Sequence, residues 1–136
     1  MEYLELDARD EELIEAALGV IRRNYREERH TVGAAVRCAS GKIYVGVNVD
    51  SCGYGPCAEP VAIGAAVSHG EHGFLSIVAV SGKRASDPLL SPCGNCRQLL
   101  VDYAPDAMVI LEHEGKPVKT SVSNLLPDAY RNFDDV

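Results

Sequence analysis

Two short segments hold the residues whose types and spacing could do chemistry. One is Cys57-Ala58-Glu59 and the other is Pro92-Cys93-Gly94-Asn95-Cys96. Three roles can be weighed for them. A redox role would use Cys93 and Cys96 alone, since a C-x-x-C at a helix start has a lowered thiol pKa. That leaves Cys57 and Glu59 idle, and the chain has no tryptophan to precede such a motif. A structural zinc site needs a fourth ligand to close the tetrahedron. His69 and His72 are the candidates, but they lie roughly 18 Å or more beyond Cys57 along a helix rising about 1.5 Å per residue. A catalytic metal site uses every part: three thiolates from Cys57, Cys93 and Cys96 hold zinc and leave one position open.

Glu59 suits that third role. It is the only Asp, Glu, Lys or Arg between Asp50 and Glu71, and Ala58, Pro60, Val61, Ala62 and Ile63 surround it. A carboxylate kept from water has its pKa raised, as befits a group that takes and returns a proton. Against this stands a plain capping glutamate. Pro60 falls in the first turn, where its missing N–H has no intrahelical partner. Zinc with three thiolates carries a formal negative charge, which two helix N-termini of about half a positive charge each would offset. Arg97 is placed to donate to a ligand sulfur, unless it is an ordinary surface arginine.

The elements that must position these residues can be read from periodicity. Residues 10–24 carry Leu13, Ile14, Ala17, Leu18 and Ile21 on one helical stripe, with acids first and Arg22 and Arg23 last. TVGAAVRC and KIYVGVNV form a hairpin around Ser40-Gly41. In its second strand Ile43, Val45, Val47 and Val49 face one way, and Tyr44, Gly46, Asn48 and Asp50 the other. After the SCGYGP loop come a helix over 57–69, a buried strand FLSIVAVSG, a helix over 93–103 and a strand AMVILEH. A short helix around SVSNLLPDAY ends the chain. The sum predicts an α/β fold with a mixed sheet, parallel in its second half, and helices packed on it. Right-handed crossovers would put both crossover-helix starts at one sheet edge, bringing Cys57 to Cys93.

Length and composition bound the rest. With 136 residues, 46% hydrophobic and 24% charged, the chain suits one domain over 1–136 with a real core. No apolar run approaches the roughly 20 residues of a membrane span, and MEYLELDARDEE is unlike a secretory leader, so a cytoplasmic protein is expected. The net charge of −7 disfavours nucleic acid as a partner. Glu27 and Glu28 interrupt the one arginine patch, Arg22, Arg23, Arg26 and Arg29, which reads as a solvated helix end. Five cysteines, an odd number, speak for metal or catalytic use of a subset; Cys38 and Cys52 read as core or loop residues.

A ligand, one residue, a glutamate and then P-C-x-x-C is the signature of zinc nucleobase deaminases. With cysteine as the first ligand, and with VGAAV (32–36), GVNV (46–49), CAE and SPCGNCRQLL in order, the chain resembles the cytidine deaminase family. GPCAEPVAIG, LLSPCGNCRQLL and LLPDAY are similar to segments of the blasticidin S deaminases within it. The resemblance implies a three-layer fold with a mixed five-stranded sheet and helices on both faces. It also implies hydrolytic deamination of cytosine in a free nucleoside or nucleoside antibiotic, with Zn2+ held by Cys57, Cys93 and Cys96 and protons carried by Glu59. Asn48, Asp50, Thr31, Ala58 and Tyr130 would contact substrate. Family members are homotetramers with sites completed across subunits, and that assembly is expected here too. Three positions depart from the family pattern. Asp50 stands for the usual glutamate, where blasticidin S deaminase has an aromatic; Asp50 therefore leans toward an ordinary nucleoside. Pro60 replaces an arginine, leaving Arg97 as the thiolate partner. His30 replaces a phenylalanine.

Overall fold

The structure, a computed structural model, describes residues 2–131. Its first helix, α1 (Ala8–Asn24), starts where Asp7 and Asp10 form a capping box: Asp7 Oδ1 accepts from the Arg9 and Asp10 N–H groups, and Asp10 Oδ2 accepts from the Asp7 N–H. The expected stripe is the buried face, with Leu13, Ala17 and Ile21 fully covered. β1 (Val32–Cys38) turns into β2 (Ile43–Val47) at Gly41, whose φ of +92° suits glycine. α2 (Ala58–Ser68), β3 (Phe74–Ser81), the two-residue β4 (Leu89–Leu90), α3 (Gly94–Tyr103), β5 (Met108–His113), β6 (Lys116–Ser121) and α4 (Val122–Leu125) follow.

One mixed sheet runs β2-β1-β3-β5-β6, with β4 paired to the end of β3. α1 packs on one face over Ala35, Val78, Val80 and Ile110. The other face, with Ala34, Val36, Ile77, Ala79 and Val109, joins the apolar residues of α2, α3 and α4 in a second core. The three-layer arrangement thus holds, and the five-strand path gains one short strand. Alternation along β2 is as read: Ile43, Val45 and Val47 pack toward α1, while Tyr44 joins the other core.

Gly46 lies against the backbone of α2. A Cβ there would come within 2.6 Å of the Ala62 nitrogen and 2.9 Å of the Val61 carbonyl carbon. This close approach seats the helix that carries Cys57 and Glu59 directly on the hairpin.

Three expectations are corrected. The sheet is parallel only between β3 and β5; β6 returns antiparallel beside β5. β6 has Pro117 within it, which argues against a strand in sequence but is tolerated at an edge. The C-terminal helix spans only Val122–Leu125, because Ser121 still belongs to β6 and Pro127 follows closely. The strand expected through Val49 ends at Val47, so Asn48 and Asp50 stand beyond it.

Candidate active site

Cys57 and Cys93 occupy the same local position. Each is the N-cap of its helix, with φ, ψ of −66°, 169° and −69°, 171°, and neither side chain caps the helix. Both sulfurs are therefore left free to face each other, and β3 lies between the two crossovers. Cys57 Sγ is 3.8 Å from Cys93 Sγ, and Cys93 Sγ is 3.5 Å from Cys96 Sγ. All three sulfurs lie within 4.8 Å of one another, and among the described residues no other cluster of potential ligands forms.

This donor set fits zinc. Tetrahedral bonds of about 2.3 Å imply sulfur–sulfur edges of about 3.8 Å. No fourth Cys, His, Asp or Glu ligand atom joins the cluster at that spacing, as an open catalytic site requires. His69 sits at the far end of α2, where its Nδ1 pairs with the Ala65 carbonyl oxygen at 2.8 Å and its ring faces Tyr44. That location removes it as the closing ligand of a structural site. A redox pair of Cys93 and Cys96 alone would not explain the third sulfur.

Glu59, in the first turn of α2, is only 6% exposed, and its Oε1 is 3.6 Å from Cys96 Sγ. Burial pushes its carboxyl above the ordinary range, against the opposing pull of its own backbone N–H and the Cys96 thiol. Cys96, fully buried, is pushed far up by burial and then by the Glu59 charge. Burial also raises Cys57. Burial acts the same way on Cys93, but the Cys96 N–H and the neighbouring thiols outweigh it and hold that thiol below its usual value. A bound divalent cation reverses this order, since a coordinating thiol loses its proton outright. The negative charge that results faces the positive ends of α2 and α3.

Cys57, Cys93 and Glu59 lie in the wall of a cleft of about 210 Å³, lined also by Val32, Asn48, Asp50, Ala58, Leu90 and Ser91, with Cys96 buried behind it. Asn48, buried, has all four hydrogen-bonding positions taken. Its Oδ1 accepts from the Thr31 and Val32 N–H groups at 2.8 and 2.9 Å; its Nδ2 donates to Thr31 Oγ1 and to Asp50 Oδ1 at 3.3 and 3.0 Å. Asn48 thus holds Asp50 against the end of β1, and Asp50 Oδ2 has no hydrogen-bond partner among the described residues. His30 takes part in the same anchor, its Nδ1 2.8 Å from the Asn48 carbonyl oxygen.

The other sequence-derived residues fall differently. Ala58 is buried in the cleft wall. Thr31 serves Asn48 and is not part of that wall. Tyr130 is 73% exposed, and its carbonyl accepts from Gln98 Nε2. Arg97 does not donate to a sulfur. Its Nε binds the Pro92 carbonyl at 2.8 Å, one terminal nitrogen the Leu125 carbonyl at 2.9 Å, and the other Ser91 Oγ at 2.8 Å. It therefore clamps the segment before Cys93 to α4, because a guanidinium one helix step past Cys96 points back toward the chain that enters α3. Leu90 and Ser91 were missed as wall residues; the β4–β3 pairing that places them has no sequence signal beyond two leucines. Cys38 is core and Cys52 exposed.

Residues 7–112 match the family described as the cytidine and deoxycytidylate deaminase zinc-binding region. The blasticidin-S deaminase of Bacillus cereus is 39% identical, across 96% of this chain and 98% of its own length. A cytidine deaminase of Mycobacterium tuberculosis is 34% identical, across 79% of this chain and 77% of its own. Among solved structures, cytidine deaminase from Mycobacterium tuberculosis covers 93% of this chain and all of its own (100%), with a TM-score of 0.77 at 29% identity. The one from Burkholderia pseudomallei covers 88% and 98%, with a TM-score of 0.73 at 34% identity.

Proposed function

The chain belongs to the cytidine and deoxycytidylate deaminase family, and on that premise we propose that it hydrolyses the exocyclic amine of cytosine in a free nucleoside, releasing the uracil product and ammonia. The observation that carries this is a buried glutamate 3.6 Å from one sulfur of a three-sulfur cluster in the wall of a small cleft.

Cys57, Cys93 and Cys96 would hold the zinc. When bound, it acts as a Lewis acid that brings the pKa of water down toward about 7. Glu59 accepts the proton of the attacking water and delivers it to the ring nitrogen of the pyrimidine. The oxygen adds to the ring carbon bearing the amine. Glu59 then takes the remaining proton of that oxygen and passes it to the departing amine, so ammonia leaves and the carbonyl forms. One carboxylate serves both transfers, and its raised pKa keeps it able to give the proton back. The whole described chain acts as one deaminase domain, with the two cores on either side of one sheet in support.

Asp50, held by Asn48, offers its free oxygen to a sugar hydroxyl, and the Ala58 backbone borders the base. Thr31 supports Asn48, and Tyr130 takes part only at the rim. The acidic balance supports a free small molecule over nucleic acid, and no helix among the described residues is long and apolar enough to cross a membrane. The enzyme is read as cytoplasmic and, on the family resemblance, as a homotetramer.

A second substrate is favoured by a specific observation: the match to the Bacillus cereus blasticidin-S deaminase spans nearly both chains, whereas the Mycobacterium tuberculosis cytidine deaminase sequence match covers about three quarters. A panel of cytidine, deoxycytidine and blasticidin S, followed by ammonia release, tests both. Glu59→Gln serves as blank: kcat should fall by at least about a thousandfold with substrate binding nearly unchanged, as for loss of a proton-transfer group. Undiminished turnover by this variant would end the assignment of Glu59.

A further inference from the structure

Polar groups interrupt the α1 core at the end of the sheet away from the cysteines. There Arg37 of β1 lies opposite Ser76 of β3, two residues from Ala35 and Val78 and so on the face that α1 covers. Lys119 joins them from β6, opposite Ile110. The register then shifts: Cys38 lies opposite Phe74, so Leu75 is an extra residue, and the bulge bends β3 beside Ser76. Together with Asp7, Arg9 and Asp10 at the start of α1, these side chains line a cavity of about 140 Å³.

Charge is buried here where apolar side chains would hold α1 as well. Arg37 and Asp10 are 6% and 5% exposed, and a buried ion pair is seldom more stabilising than apolar residues of similar volume. The pairing also leaves donors over. Lys119 Nζ uses two of its three N–H groups, on Asp10 Oδ2 at 2.7 Å and Asp7 Oδ2 at 3.4 Å. Arg37 Nη2 serves the Arg9 carbonyl and the Glu12 carboxylate, and Nη1 reaches the Gly41 carbonyl only at 3.4 Å. Its Nε has no partner among the described residues. The Glu12 side chain is 63% exposed, so its hold on Arg37 is weak and open to exchange. Ser76 is the independent sign of a ligand. It is nine-tenths buried, it lines the cavity, and its hydroxyl has no hydrogen-bond partner among the described residues. Three cations face two acids in this wall, a positive balance within a chain of net charge −7.

We propose that Arg37, Lys119 and Ser76 bind a phosphate group in this cavity, with Arg9 at its rim. The free guanidinium N–H, the third ammonium N–H and the Ser76 O–H come from three strands, and each donates to a different oxygen. A planar carboxylate has only two oxygens to offer them. The positive end of α1 adds to the field. Glu12 gives way to the anion at Arg37 and turns to water, and the bound phosphate ties α1 to the sheet. The cavity shares no wall residue with the catalytic cleft, so its occupancy is independent of the deaminase assignment.

Calorimetry and thermal unfolding of the zinc-loaded chain test this, with inorganic phosphate set against sodium chloride of equal ionic strength. The parent should bind phosphate with a Kd of about 1 mM or tighter, and its Tm should rise with phosphate concentration. Ser76→Ala should weaken binding about three- to tenfold. Glu12→Gln should tighten it about three- to tenfold by removing the competitor for Arg37. Glu15→Gln, at another exposed acid of α1, should stay within about twofold. Unfolding without phosphate shows that each variant is folded. Acetate should bind about tenfold more weakly than phosphate. Glycerol phosphate identifies the source: tighter binding than inorganic phosphate assigns an ester, weaker binding the free anion, and either supports the site. No binding beyond the chloride control would overturn the proposal. So would phosphate binding that ignores Ser76→Ala or Glu12→Gln, or acetate binding as tight as phosphate.

Discussion

Replacing Gly46 with alanine should damage the active site from a distance, through the seat of one helix. The added Cβ would lie 2.6 Å from the Ala62 nitrogen, 2.8 Å from Val61 Cγ1 and 2.9 Å from the Val61 carbonyl carbon. An ordinary contact needs about 3.4 Å or more, given carbon–carbon optima of about 3.5–4.0 Å. The backbone of α2 cannot rotate out of the way as a side chain could, so the helix must retreat by about 0.8 Å. Ala62 is five positions after Cys57, about 7.5 Å along the helix axis, so a rigid shift reaches the sulfur almost undiminished. It would lengthen the 3.8 Å edge between Cys57 and Cys93 and carry Glu59 with it. Overpacking of this kind costs about 1–3 kcal/mol, or about 3–10 °C in Tm for a domain of this size. A misplacement approaching 1 Å lowers catalysis by about a hundredfold. Thermal unfolding, zinc content after competition with a chelator, and kcat/KM would be measured side by side. A Gly46→Ala protein with Tm within a degree of the parent and full activity would refute the seating of α2 on β2.

Three further outcomes are expected. With zinc bound, Cys52 alone should react quickly with a thiol reagent; chelation should add Cys57 and Cys93, while Cys38 and Cys96 stay covered until unfolding, and equal reactivity before and after chelation would contradict the ligand set. Arg97→Ala should lower stability by about 1–3 kcal/mol by freeing the Pro92 and Leu125 carbonyls and Ser91. It should also weaken zinc retention, with Arg97→Lys restoring little because one ammonium cannot serve three acceptors, as denaturant unfolding and metal competition would show. Cys38 has its thiol pKa raised from 9.0 to about 11 by burial and then by the Glu71 charge. The unfolded chain therefore releases this proton first, and stability should fall by about 2 kcal/mol as pH rises from 9 to 11. Urea midpoints across that range should show the slope in the parent and a flatter one in Cys38→Ala.

Tyr130 and Arg97 show where sequence reasoning reached its limit. Both were assigned from their place in a motif, but a side chain's target depends on what the chain packs nearby. Arg97 found three oxygens closer than any sulfur because α4 and the Ser91-Pro92 segment converge on it. Asn48 was read as a substrate contact; the end of β1 happens to present two N–H groups to its Oδ1, and the side chain is spent on them. β6 was hidden by Pro117, whose missing N–H matters in a central strand and not on an edge.

Local chemistry was decided by the sequence itself. Three cysteines and a glutamate at fixed offsets from two helix starts specify a thiolate site with a proton carrier, because helix geometry and crossover handedness leave little freedom in where those starts go. Alternation along β2 and the stripe on α1 likewise assign both faces of the sheet before any coordinates. The cleft, the place of Asp50 in its wall and the hydrogen bonds that consume Asn48 and Arg97 belong to tertiary structure alone. They arise where loops of unrelated sequence meet, and which polar group satisfies which is settled only once the packed core has fixed the distances between them.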